Sequence, residues 1–287
     1  MAVPVFMVIT GYVACLSFER KGLSLSSNYR PIEIITKWLR FIIPFIPAWS
    51  LVVITRIVGR NESFSFTRVL IDFITGGLGY GFYYFPVMLQ VVLIIPIIWR
   101  VIKHNPLKGV IICFVINVAF EAFKSLIHLS PELYRICSLR YTFILGYGSF
   151  LFFQKRERQQ LKWYITVGII GAIYIFLFNY TGLKPIITDQ WTVTSVFAVM
   201  FIVPLMMILI EKTEIHNRLL ETLGKASFNI FLVQMVFYFV GAKLVYKYIP
   251  LIPLRLLVII IVCCTVGIVY YRIESPITKR IIRAIRG

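Results

Sequence analysis

"YYFPVMLQVVLIIPII", residues 83–98, has no charged side chain in its whole length and a single amide, Gln90. A helix that crosses a bilayer needs about 20 mostly apolar residues, and this stretch with its flanks meets that need. Windows of the same kind recur along the chain, and no long polar stretch separates them. Hydrophobic residues make up 59% of 287 positions, aromatics 16%, and the mean hydropathy is +0.86. Soluble domains run at roughly 45–50% apolar, so the excess marks a chain built for lipid. The expected fold is all-α, a polytopic membrane helix bundle occupying 1–287 as one domain. Its helices are expected at about 2–18, 38–55, 82–99, 109–123, 139–153, 163–179, 191–210, 226–245 and 254–271. Several of these are short and must borrow flanking residues to cross.

Thirty Lys and Arg face twelve Asp and Glu, a net charge of +18. Nucleic acid is not the expected partner, because every basic cluster lies between apolar runs and reads as a loop beside anionic lipid. Nine spans put the termini on opposite sides. The loops around 20–40, 100–108, 155–162, 212–225 and 272–286 hold twice as many basic residues as the alternate set. The positive-inside rule therefore places the C-terminus in the cytoplasm and Met1 outside. Five cysteines without a C-x-x-C spacing read as small hydrophobes, four of them within apolar runs. His104, His128 and His216 fall in expected loops and form no metal-ligand pattern, so no metal is expected.

An outside N-terminus at "AVPVFMVITGY" (Ala2–Tyr12) lacks a basic region ahead of it, and "SFERKG" beyond offers no small-residue cleavage site. A further helix upstream is the expected remedy. It would bring the bundle to ten spans and both termini to the cytoplasm.

That opening also resembles the second helix of the membrane acyltransferase-three family, through Pro4, Phe6, Ile9, Thr10, Gly11 and Tyr12. Four later stretches agree in order. "KWLRFIIPF" is similar to the family's basic entry to its third helix, with Lys37, Arg40 and Pro44. The segment at 83–98 spaces Tyr84, Gln90 and Pro96 as the family does, with Met88 and Leu89 where some members carry a carboxylate pair. "LGKASFNIFLVQ" follows the family's late pattern except that Gln234 replaces its usual His, and "RIESPITK" supplies Glu274 and Pro276 of the terminal E-x-P element. The resemblance implies a bacterial plasma-membrane O-acyltransferase. It would move an acyl group, commonly acetyl, from cytoplasmic acyl-CoA to a hydroxyl of an extracytoplasmic or lipid-linked glycan. Acyl-CoA enters as donor substrate, with no bound cofactor. The family's Arg and catalytic His belong to its first helix, which is expected upstream of Met1. The chain from Met1 to Gly287 is accordingly expected to be inert alone.

Lys37 and Arg40 share a helix face at the cytoplasmic boundary, where they suit the phosphates of a CoA thioester. Snorkelling anchors would use the same residues. Thr10, Gly11, Tyr12, Tyr84, Gln90 and Gln234 are candidates for lining a pocket. Against that, Thr10 and Gly11 equally suit small-residue helix packing, and each Gln in an apolar run needs a partner of some kind. Asn117 and Asn229 read as interhelical hydrogen bonds. Glu121 and Lys124, spaced i, i+3, read as an ion pair. "GGLGYG" (Gly76–Gly81) lacks the Lys-Ser/Thr of a phosphate loop and reads as an outside loop. The C-terminal "ITKRIIRAIRG" sets Ile277, Ile281 and Ile285 on one face, as an interfacial amphipathic helix would. A polysaccharide or lipid-linked sugar exporter is the alternative function, which mid-membrane ionisable residues would favour. The orientation is testable: a reporter fused after Gly287 should be cytoplasmic, and cysteines placed in 60–66 should be labelled from outside. Labelling of 155–160 from outside in intact cells would reverse it.

Overall fold

A computed structural model describes residues 2–60, 65–77, 81–154 and 217–287, with isolated helical residues at 165–166, 169–170 and 173. Six helices among the described residues are long and apolar enough to cross a membrane: α1 (Ala2–Arg20), α3 (Pro31–Arg60), α5 (Tyr84–His104), α6 (Pro106–Leu126), α9 (Arg218–Val240) and α11 (Ile252–Arg286). Shorter pieces connect them: α2 (Leu25–Asn28), α4 (Phe66–Thr75), α7 (Pro131–Ile136), the 3-10 turn η1 (Ser138–Tyr141), α8 (Thr142–Phe153) and α10 (Ala242–Tyr248). No strand occurs among the described residues. This is the expected all-α membrane bundle. The segment expected at 139–153 is the short pair η1 and α8. The spans expected at 163–179 and 191–210 lie outside the described residues, apart from the isolated positions just given.

Helix boundaries follow capping chemistry that apolar windows do not see. Asn105 Oδ1 accepts from Lys108 N at 3.0 Å with Pro106 at the first helical position, which starts α6. Ser130 does the same for α7, ahead of Pro131. Asn217 Oδ1 accepts from Leu219 N at 2.8 Å, so α9 begins well before the expected 226. α11 runs unbroken to Arg286, so the amphipathic C-terminal segment continues the last long helix without a break. Ile277, Ile281 and Ile285 remain exposed, as a lipid-facing side would, while Glu274, Thr278 and Ile282 turn inward.

The chain folds as two compact units, and α5 contributes its first turns to one and the remainder to the other. In the unit of 1–29 and 90–215, α8 packs on both α1 and α6. Gly11 and Gly148 let α1 and α8 touch backbone to backbone. A Cβ on Gly11 would strike the Leu145 carbonyl, and one on Gly148 the Val8 carbonyl. Ser149 Oγ, fully buried, donates to Leu145 O at 3.1 Å and Gly11 O at 3.4 Å across this crossing. At the far end of α1, Glu19 accepts from Trp99 Nε1 (2.9 Å) and Lys103 Nζ (2.8 Å) on α5.

In the unit of 30–89 and 216–287, α3, α9 and α11 pack pairwise. Phe45 stacks on Phe85 at 3.7 Å and meets Phe73 and Phe82 edge-on, while Arg56 and Asp72 pair at 3.2 Å. α3 continues through Pro44 and Pro47 without a break. Each proline removes a backbone donor, and in the turn between them the Pro44 carbonyl accepts from Tyr270 OH at 2.5 Å. Arg286 Nη2 donates to both carboxylate oxygens of Glu33 (2.8 and 2.9 Å), tying the end of α11 to the start of α3.

The glycine contacts set a test of the α1–α8 crossing. Gly148→Ala forces a methyl into backbone atoms and should lower the thermal midpoint in detergent, as overpacking costs about 1–3 kcal/mol. Gly224→Ala, where nothing lies within 4 Å, should hold or raise it, alanine being favoured in a helix by about 1 kcal/mol. Equal midpoints for the two variants would remove the close crossing as a structural requirement.

Candidate functional site

Lys37 and Arg40 lie on α3 with Lys37 half-buried and Arg40 exposed. Between them Trp38 Nε1 donates to Leu89 O at 2.9 Å, which fixes the rotation of α3 about its axis. One residue past Arg40, Phe41 meets Phe228 of α9 edge-on at 5.2 Å. Two other basic residues of this unit form ion pairs, Arg286 with Glu33 and Lys225 with Glu221 at 2.6 Å. An exposed guanidinium beside a half-buried ammonium on one face can hold an oxyanion with several donors.

Deeper in the same unit a buried carboxylate bridges α9 and α11. Glu274 accepts from Asn229 Nδ2 at 3.4 Å and from Thr278 Oγ1, one turn along its own helix across Pro276. Asn229 thus makes an interhelical hydrogen bond, and its partner is the acid of the E-x-P element. Tyr84 is buried with its ring 5.0 Å from Phe231. Gln234 lies about one turn further along α9, half-buried.

The remaining candidates belong to the other unit. Thr10 Oγ1 donates to Phe6 O at 2.7 Å within α1, Gly11 lies under α8, and Tyr12 meets Phe152 edge-on at 5.5 Å. Gln90 has both ends of its amide engaged. Its Nε2 donates to Ile136 O at 2.6 Å and its Oε1 accepts from Ser138 N at 3.1 Å, clamping the link between α7 and η1. The structure therefore divides the sequence candidates between units: Lys37, Arg40, Tyr84 and Gln234 in one, Thr10, Gly11, Tyr12 and Gln90 in the other.

Sequence reasoning missed one constellation, at the junction of α6, α7 and η1. Glu121, 1% exposed, accepts from Tyr134 OH at 2.7 Å. Over the Tyr134 ring stand Lys124 Nζ at 3.9 Å and Arg140 Cζ at 4.3 Å, and Arg140 also lies 5.0 Å from the Tyr141 ring. Glu121 and Lys124, expected as an ion pair, thus both contact Tyr134. Arg140, a cation at the start of the segment expected at 139–153, is 8% exposed. One turn before Glu121, Asn117 Oδ1 accepts from Phe143 N at 3.4 Å. Asn117 Nδ2, Ser138 Oγ and Arg140 Nε are buried and have no hydrogen-bond partner among the described residues. Each such group costs about 1–3 kcal/mol. The only clue in the sequence was the clustering of Glu132, Tyr134, Arg135, Arg140 and Tyr141 in a short interval between apolar runs. Cys137 sits in the same link, and burial pushes its thiol pKa up, which makes it a poor nucleophile.

His104 and His128 are exposed at helix ends. No group of three or more His, Cys, Asp or Glu able to hold a metal ion occurs among the described residues. No curated protein and no solved structure matches the chain. A family model described as an acyltransferase domain, Acyl_transf_3, matches residues 1–272, which is nearly the whole length. On that match, and on a helix bundle suited to lipid, the chain belongs to the acyltransferase-three family of membrane proteins.

Proposed function

We propose that this protein transfers an acyl group, acetyl being the simplest, from cytoplasmic acyl-CoA to a hydroxyl of an extracytoplasmic or lipid-linked glycan. Its setting is the bacterial plasma membrane, with the C-terminus in the cytoplasm. Membership of an acyltransferase family supports the reaction class and weighs against the exporter reading. The observation that carries the donor assignment is the exposed Arg40 beside half-buried Lys37 on α3, at the end of a span the charge distribution places at the cytoplasmic face. The phosphates of CoA carry several negative charges, and a guanidinium meets a phosphate through two parallel N–H bonds. With the phosphates held there, the pantetheine arm reaches into the bundle and delivers the thioester.

The chemistry is a substitution at the thioester carbonyl. The acceptor oxygen bonds to the carbonyl carbon, the carbon–sulfur bond breaks, and the hydroxyl proton leaves with the CoA thiolate as CoA-SH. Water must be kept out, because hydrolysis of the thioester competes with transfer. An apolar bundle does that by default. Asn229–Glu274 and Tyr270–Pro44 hold α3, α9 and α11 in register around the donor face, so these residues position Lys37 and Arg40 without touching the reactants.

Arg40→Ala should weaken acetyl-CoA binding while expression and thermal midpoint stay unchanged. A charge-assisted hydrogen bond of about 1.5–3 kcal/mol corresponds to roughly a 10- to 150-fold rise in Kd. Arg40→Lys should recover only part of the loss, since the charge remains and the planar fork does not. Titration calorimetry in detergent reads both variants. An unchanged Kd in both would reduce Lys37 and Arg40 to interface anchors.

A further inference from the structure

Arg286, at the end of α11, is held through one nitrogen only. Its Nη2 donates to both carboxylate oxygens of Glu33 (2.8 and 2.9 Å) and to Thr36 Oγ1 at 3.3 Å. Thr36, 1% exposed, spends its own hydroxyl proton on the Glu33 carbonyl at 3.1 Å, so toward Arg286 it can only accept. Three acceptors around one nitrogen orient the guanidinium. Nε and Nη1 make no hydrogen bond among the described residues, and the side chain is 42% exposed. A guanidinium clamped at one nitrogen and open at the other two is set up to receive a further acceptor.

The clamp also fixes where those open donors stand. Glu33, Lys37 and Arg40 are spaced i, i+4, i+7 on α3, which is one helix face, and Thr36 adjoins Lys37. Arg286 thus reaches the donor face from a second helix of the same compact unit. It arrives one turn before Lys37 and two before Arg40, about 10 Å short of Arg40 along the axis of α3. As a fastening between two helices, an exposed ion pair contributes little. As an orienting clamp, the same pair keeps a long, solvent-facing cation in one place.

Coenzyme A carries its acidic groups in a fixed order. The thioester arm leads to a diphosphate on the 5′ carbon of the ribose, and a separate phosphate stands on the 3′ carbon. With the arm directed into the bundle, the diphosphate comes to Lys37 and Arg40, and the 3′-phosphate lies further toward the cytoplasm, where Arg286 is. We propose that Arg286 is a ligand of the donor's 3′-phosphate, oriented for it by Glu33 and Thr36. This assignment rests on the acyl-CoA reading of Lys37 and Arg40, whereas the clamp itself is independent of that reading.

Titration calorimetry on the purified chain in detergent compares acetyl-CoA with acetyl-3′-dephospho-CoA, which differ only in that phosphate. Wild type should bind acetyl-CoA about tenfold more tightly, as one charge-assisted bond at an exposed site would give. Arg286→Gln should bring the two Kd values within about twofold of each other. Glu33→Gln keeps an accepting oxygen for Arg286 and removes a negative charge, so it should retain the preference or raise it. Arg40→Ala should weaken both ligands alike. The variants should keep the wild-type thermal midpoint; if Arg286→Gln does not fold, Arg286→Ala is read in its place. Three results would overturn the assignment: no preference in wild type, an undiminished preference in folded Arg286→Gln, or equal loss in Arg286→Gln and Glu33→Gln, as a plain latch would give. In any of these cases, weakening of both ligands by Arg40→Ala would leave the donor reading standing. If neither ligand binds wild type, the donor reading fails and the 3′-phosphate site fails with it.

Discussion

A bilayer interior offers no water to an unpaired N–H or C=O, and every feature of this chain follows from that constraint. The backbone answers it by staying helical, even through Pro44, Pro47, Pro96 and Pro276. Side chains answer it with an apolar exterior around a core that is mostly apolar but also holds polar residues. Isoleucines, leucines and valines cover the outside, while Asn28, Thr36, Asn117, Glu121, Ser149, Asn229 and Glu274 are buried. Because apolar side chains gain little by leaving lipid, helix contacts must come from close approach and from hydrogen bonds. The Gly11–Gly148 crossing is the first kind, and Asn229–Glu274 the second.

The same economy explains why polar residues in this chain so often have a structural use. Gln90 was a candidate pocket residue, yet both ends of its amide hold the link between α7 and η1. Thr10 bonds back to its own helix. Tyr270 lends its hydroxyl to a carbonyl between two prolines. Against that background, charged side chains that stay exposed are the informative ones. Arg40 and Arg286 are of that sort, and both lie within the same compact unit.

Much of the architecture was legible beforehand, because the length of an apolar run is a direct measure of whether it can cross lipid. Helix ends were less legible. They depend on single capping residues such as Asn105, Ser130 and Asn217, whose hydrogen bonds outweigh the apolar count over the first turn. The C-terminal segment was read from its isoleucine face alone, and its continuity with α11 comes from tertiary partners: Arg286 finds Glu33, and Glu274, Thr278 and Ile282 continue the inward stripe.

What the sequence determined by itself was the solvent, the helical class, the family pattern and the two cations at the start of α3. Each is a property of composition or of spacing along a helix, and neither needs a partner from elsewhere in the chain. Only tertiary structure decided which polar groups are satisfied. Glu121, Tyr134 and Arg140 lie up to nineteen residues apart, and nothing in their spacing says that one ring would carry two cations while its hydroxyl meets a carboxylate. Hydrogen bonds and ring contacts act over a few ångströms in space. Their pattern exists only once α6, α7 and η1 have packed.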